Sequence, residues 1–311
     1  MNKIRLNSYT YLILVALIWG AAGPIIKFTL EGIDPLPFMS YRFAIASVFS
    51  IIFFALKIKK GKKFKRLRAH LPLAIIYGFL AVPLALGFLF LALDKTTVLD
   101  LTLTGVIAPM IVMAGGAFFY RDHITRQEKI GISVVLFGVI LNSIYPLLAG
   151  GSDVILTGNF LLILYLLADS GSILLSKQAV RYKIQSANLT NLAFIIGALT
   201  IIPITLAIYG GQNLFNSLIN LPFKYHLGVW YMALVSGNLA YYLFVRGQRS
   251  IEVSEAVLFG YLQPLFTIPL ALFWLKETLR TSFIIGAVII AIGLFVAEYK
   301  KQNKKVVEAS N

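Results

Sequence analysis

The charged residues of this chain gather at the ends of long apolar stretches. Each stretch runs to roughly twenty residues, the length an α-helix needs to cross a hydrocarbon core about 30 Å thick. Inside such a core the chain must satisfy its own backbone N–H and C=O groups, so only helices or closed barrels can span it. The stretches show no alternation of apolar and polar residues, which excludes a barrel. With 59% hydrophobic and 13% charged residues and a mean hydropathy of +0.83, the composition also argues against a soluble domain. The sequence therefore predicts an all-α integral membrane protein. Its ten transmembrane helices are expected near residues 11–30, 35–56, 71–93, 97–120, 128–146, 157–177, 187–209, 226–245, 254–275 and 281–299.

A net charge of +15 would suggest a nucleic-acid partner in a soluble protein, but here the basic residues border the spans, and no nucleic acid is expected. With a cytoplasmic amino terminus, the inner side carries Lys3, Arg5, the run from Lys57 to Arg68, Arg121, Arg126, Lys129, Lys177, Arg181, Lys183, Arg246, Arg249 and the tail from Lys300 to Lys305. Of the 28 Lys and Arg, only Lys95, Lys224, Lys276 and Arg280 then fall outside, with Lys27 and Arg42 in or near spans. The positive-inside rule predicts from this asymmetry that both termini are cytoplasmic, in a multi-pass protein of the cell (plasma or inner) membrane. The basic loop from Lys57 to His70 reads as a topological anchor beside anionic headgroups, so membrane lipids are expected partners. The first stretch follows a short basic start, as a signal peptide would, yet it is long and contains Trp19 and Lys27. It reads as a retained helix. The chain has no cysteine, so neither disulfides nor thiolate chemistry are available.

An internal repeat is the next signal. Gly105, Pro109, Asp122, Gly131 and Gly138 match Gly260, Pro264, Glu277, Gly286 and Gly293, each 155 positions later. Lys27 matches Lys177 at 150, and His70 matches His226 at 156. The expected units are 1–148, 155–300 and a basic cytoplasmic tail, 301–311. Five spans per copy is an odd number, so the second copy enters the membrane from the opposite side. This inverted pairing is a recurring plan of secondary transporters. The charges agree: the loop with Lys95 faces out and its counterpart with Arg246 and Arg249 faces in.

Trp19, Gly20, Pro24 and Lys27 in the first helix, and Tyr41-Arg42-Phe43 in the second, resemble motifs of the drug/metabolite transporter superfamily, in its EamA family. Tyr261-Leu262-Gln263-Pro264-Leu265, the turn Leu275-Lys276-Glu277-Thr278-Leu279 and Arg246-Gly247 extend the resemblance into the second half. The sequence departs from the family's Gly-Glu turn at Tyr120-Arg121-Asp122-His123 and at Lys276, and Asp169-Ser170 stands opposite Trp19-Gly20. The resemblance implies ten helices in two five-helix repeats and transport of small metabolites. It does not name the substrate.

Asp169 falls near the middle of its span with no charge within seven residues. A carboxylate there costs about 2.5–3.5 kcal/mol on insertion scales, so it must face a cavity, pair, or be protonated. It is a candidate for a substrate ammonium or a coupling proton, against the plainer reading of a satisfied interhelical hydrogen bond. Arg42 offers a planar fork suited to a carboxylate or phosphate, or else pairs structurally with Glu31 or Asp34. Lys27 is a gating candidate, though its ammonium can also sit at the headgroups while its stem covers apolar surface. Asp100 and Glu255 each lie near a helix start, where a carboxylate offsets the helix dipole; a gate is the lesser reading. Pro24, Pro109 and Pro264 are candidates for shape and gating because each frees a backbone carbonyl. Asn238 and Gln263 present amides, and Trp19, Tyr77, Tyr241 and Tyr242 present rings, to an expected central cavity. Gly131 with Gly138 and Gly286 with Gly293 read as close-packing grooves.

The chain lacks the Walker loop and the H-E-x-x-H and G-x-S-x-G motifs, and its three histidines, His70, His123 and His226, lie at span ends. No enzyme activity, cofactor or metal is expected. The residues predict a secondary transporter or exporter of a small polar metabolite, an amino acid or similar, working by alternating access with protons as a candidate coupling ion. A passive channel and a membrane-embedded lipid-modifying enzyme are the alternatives. Substrate, direction and oligomeric state are not legible.

Overall fold

The computed structural model describes residues 3–59, 64–120, 126–148, 153–251 and 253–309. The turn Arg121-Asp122-His123 lies outside the described residues, as does 60–63 of the basic loop. All regular structure among the described residues is helical. Among the described residues seven helices are long and apolar enough to cross a membrane: α1 (Arg5–Leu30), α2 (Pro35–Lys59), α3 (Leu71–Lys95), α4 (Val98–Phe119), α6 (Asp153–Arg181), α7 (Ser186–Tyr209) and α8 (Phe223–Gly247). Three shorter apolar stretches, Lys129–Asn142, Phe259–Trp274 and Phe283–Val296, belong to α5 (Arg126–Leu148), α9 (which starts as Val253–Leu258 and runs to Trp274) and α10 (Thr281–Ala309). The polar connection after α7 carries a further short helix, Gly211–Ile219. It is entered through Gly210 at φ 75°, a conformation that favours glycine.

Helix ends follow their local chemistry. Pro35 opens α2, where a missing N–H breaks no helical bond. At the start of α4 the Thr97 hydroxyl oxygen accepts from the Asp100 N–H. The Glu277 carboxylate accepts from the N–H groups of Val98 and Leu99 at 2.8 and 3.0 Å. Four free donors at a helix start make such an anionic cap favourable.

Several spans are not uniform α-helices. α3 widens into a π-helical segment at Leu80–Leu84, which holds Pro83, and α8 does so at Tyr231–Leu239. α4 breaks between Gly105 and Ala108, just before Pro109, and α9 passes through a 3-10 segment, Phe259–Leu262, just before Pro264. The matched prolines thus follow matched interruptions. α1, by contrast, runs unbroken through Pro24.

Helix α1 packs on α8, α2 on α7, α3 on α6, α4 on α9, and α5 on α10. A lipid solvent gives helices no hydrophobic reason to associate, so close backbone approach has to supply the contact. The glycine pairs do this. A Cβ on Gly293 would lie 2.7 Å from Val135 Cγ2 and 2.9 Å from the Val135 backbone nitrogen, and one on Gly138 would lie 3.3 Å from the Gly286 oxygen. Gly293→Ala is expected to lower stability by about 1–3 kcal/mol, because backbone cannot rotate away from the new methyl. A drop in the thermal midpoint in detergent checks this, and an unchanged midpoint would show that the α5–α10 seam is loose. Outward faces such as Val48, Phe49, Ile51 and Ile52 of α2 leave large side chains exposed, as expected of a surface in contact with lipid.

Candidate functional site

Inside the bundle lies a cavity of about 160 Å³, walled by α1, α2, α3, α4, α6, α8 and α9. Leu12, Val15, Ala16, Trp19, Ala22 and Gly23 of α1 face it, spaced three and four residues apart as one helical face requires. On α6 the facing residues are Tyr165, Leu166, Asp169 and Ile173. Asp169 lies about 24 Å along α6 at 1.5 Å per residue, slightly past the middle of the helix. It is half-buried, and among the described residues no side chain hydrogen-bonds its carboxylate.

Arg42 of α2 reaches the same cavity. It is 0% exposed, and among the described residues its Nε and Nη1 lack hydrogen-bond partners. The guanidinium carbon lies 5.5 Å from the Phe43 ring centroid and 5.2 Å from that of Phe90. No ion pair to Glu31 or Asp34 forms among the described residues; Asp34 instead accepts from Tyr209.

Trp19 donates its indole N–H to the Ser236 carbonyl at 3.0 Å, an oxygen within the π-helical segment of α8. Its ring meets Tyr241 edge-on at 5.2 Å and Phe244 at 5.2 Å. Tyr241 donates to the Ala81 carbonyl at 3.4 Å, within the π-helical segment of α3. Gln263, Pro109 and Pro264 also line the cavity. The structure therefore brings Asp169, Arg42, Trp19, Tyr241, Gln263, Pro109 and Pro264 together around one space.

Five candidates lie off that wall. Tyr77 is buried in the packed core. Asn238 joins helices: its amide nitrogen lies 3.5 Å from the Ala46 oxygen of α2, 3.3 Å from Ser50 Oγ and 3.4 Å from Asn191 Oδ1 of α7. Tyr242 accepts from Arg246 Nη1 near the end of α8. Pro24 is buried within α1, and Lys27 is engaged elsewhere. Residues not singled out from the sequence complete the wall: Tyr165, Thr102, Ser236 and Thr267. Tyr165 stands four residues before Asp169, so the helical period alone would have found it. The Ser236 carbonyl carries no sequence signal.

The sequence model of the EamA-like transporter family matches residues 6–144 and again 156–299. The chain belongs to that family. The chain is similar to the uncharacterized transporter YyaM of Bacillus subtilis (strain 168), 26% identical over 309 residues and 94% of each chain. A probable amino-acid metabolite efflux pump of Salmonella typhimurium is 23% identical over 91% of this chain and 92% of its own. One of the same description from Escherichia coli (strain K12) is 23% identical over 96% and 97%. A solved crystal structure superposes with a TM-score of 0.61 at 15% identity, covering 94% of this chain and 97% of the other, which speaks to the fold alone. Apolar helices of this number and family membership together make this a multi-pass membrane protein.

This EamA protein uses its two matched lysines in one way. Lys27 of α1 donates to the carbonyls of Leu93 and Thr96 at 2.7 and 2.8 Å. Lys177 of α6 donates to the carbonyls of Gln248, at 3.0 Å, and Ile251. Both acceptor pairs sit where α3 and α8 end, where the last carbonyls lack helical partners and the dipole favours a cation. Lys27 thus ties the end of α1 to the end of α3 instead of reaching to the headgroups. Nearby, burial pushes the Glu277 carboxyl above its ordinary range, against the pull of the Val98 and Leu99 N–H groups and of Lys27.

Proposed function

We propose that this EamA-family protein is a secondary transporter that exports a small polar metabolite, an amino acid or close relative, by alternating access. The observation that carries the reading is one cavity whose mostly apolar wall includes both Asp169 and Arg42, the latter with two buried nitrogens that have no hydrogen-bond partner among the described residues. Those two groups suit the ammonium and carboxylate of a zwitterion. The apolar remainder, Leu86, Leu89 and Leu101 among it, suits the rest of the solute. Two relatives described as probable amino-acid metabolite efflux pumps favour the same substrate class.

Alternating access is the motion that ten helices in two inverted five-helix repeats would permit. The pairing of helices supports that plan. A two-fold relating each helix to the one five later turns the α1–α8 contact into α6–α3 and returns α2–α7, α4–α9 and α5–α10 onto themselves, and these are the pairs that pack. The lysine clamps obey the same operation. Both termini are taken as cytoplasmic in the cell membrane, and Asp169 is the cavity carboxylate available to carry a coupled proton.

Purified protein in liposomes, loaded with unlabelled amino acid and offered labelled amino acid outside, is expected to give saturable counterflow, faster with a pH gradient. Flux that rises without saturation would favour the channel reading. Failure of every zwitterion to exchange would remove the proposed substrate class.

A further inference from the structure

Matched acids at the two ends of the bundle sit in unlike surroundings. Asp100 and Glu255 occupy the same place in the two repeats, 155 positions apart, each in the first turn of its helix. Asp100 is 4% exposed. Its carboxylate takes the hydroxyls of Thr96 and Thr97 at 3.0 and 2.8 Å and the amide of Asn142 at 3.2 Å, with Arg280 at 3.7 Å. Thr96 reaches on to Asn159 of α6 at 2.8 Å. Helices α4, α5 and α6 are thereby joined at one buried point.

Glu255 is held differently. Arg5 Nη2 donates to its two oxygens at 2.9 and 2.8 Å, the Tyr9 hydroxyl donates to Oε1, and beside them the Ser8 and Ser250 hydroxyls meet at 2.6 Å. The Arg5 side chain is 47% exposed and that of Glu255 22%. Directly beneath lie Leu12, Val15, Phe244 and Ala256, an apolar plug whose other side is the cavity wall. Leu12 is three residues from Tyr9, so the cavity begins about one helical turn, ~5 Å, behind that tyrosine.

We propose that Arg5, Tyr9 and Glu255 form the latch that opens the cavity toward the face carrying the amino terminus, while the Asp100 cluster is the firmer opposing seal. The proposal rests on the alternating-access reading. A solvated ion pair contributes little and is screened by salt, which suits a contact that must break in every cycle. Breaking a buried, multiply bonded carboxylate is far more costly. The latch also lies between α1 and α9, one helix from each repeat, so its release separates the halves without disturbing a helix of either.

The absence of native cysteine makes the test direct. Ala16→Cys places one thiol on the cavity wall. Sealed vesicles of both orientations are treated with a membrane-impermeant maleimide. Adding Glu255→Gln or Arg5→Gln is expected to speed labelling about two- to fivefold from the amino-terminal face only, the shift an exposed pair can support. The double exchange Arg5→Glu with Glu255→Arg is expected to slow it again. Raising salt should speed labelling of the unmutated latch and leave Glu255→Gln unaffected. Unchanged labelling in Glu255→Gln and Arg5→Gln, or acceleration from the opposite face, overturns the latch. Amino-acid counterflow in the same vesicles separates the two ideas. Accelerated labelling without any exchange keeps the latch and removes the carrier; exchange with unaltered labelling does the reverse.

Discussion

Asp169→Asn is expected to cut flux of an ammonium-bearing solute by on the order of 10- to 100-fold, the loss of one hydrogen bond to a charged group worth about 1.5–3 kcal/mol. The protein should still reach the membrane and melt no earlier, because the carboxylate has no hydrogen-bonding side chain among the described residues to lose. A lone charge at this depth costs stability, so the neutral amide relieves the fold while removing the site's negative pole. Asp169→Glu retains the charge and should keep part of the flux. A solute lacking the amine should lose much less than the zwitterion. Liposome counterflow with the two solutes side by side is the measurement. Equal flux for the unmutated protein and for Asp169→Asn, with the same response to a pH gradient, would leave the residue with only a structural role. The repeat sharpens the point: α1 carries Trp19 at the position matching Asp169, and both face the cavity. Two equivalent places have taken an aromatic donor on one side and a charge on the other.

Depth along a span was legible in the sequence, whereas direction around it was not. Trp19 and Asp169 lie deep in their spans by distance from the charged ends, and the structure puts them on the cavity. Tyr241 and Tyr242 were equally deep by that measure, yet neighbours on a helix point about 100° apart, and only Tyr241 lines the space. The π-helical segment at Tyr231–Leu239 adds to the difficulty. A wide turn resets the phase of every residue after it, and a run of apolar residues carries no mark of one. Helix α1 begins at Lys3, before the apolar stretch, and there Arg5 and Tyr9 meet Glu255, a partner about 250 residues away that hydropathy does not register. The same distance in sequence hid the acceptors of Lys27. Its ammonium was readable as a cation near a helix end, but the end it caps belongs to α3.

Arg42→Met should raise stability and weaken recognition together, and this opposition of signs is the strongest evidence the site can offer. A buried charge pays a desolvation cost of several kcal/mol that only good partners return. Arg42 has two rings, Phe43 and Phe90, each worth on the order of 2 kcal/mol when desolvated, and two nitrogens without any hydrogen-bond partner among the described residues. Methionine fills similar space with no charge to bury, and replacing buried ionic groups by apolar ones of like volume is known to stabilise by about 1–4 kcal/mol. The expected result is a higher thermal midpoint with counterflow of carboxylate-bearing solutes reduced by on the order of 10- to 100-fold, the value of a charge-assisted contact. Arg42→Lys should fail to restore flux, since a point charge does not reproduce the planar fork. A protein that melts earlier as Arg42→Met would mean that the guanidinium is a structural member of the bundle, and the idea that its idle nitrogens await a solute would go with it. Strained or costly groups cluster at ligand sites, and a higher melting point together with lost flux would place Arg42 among them.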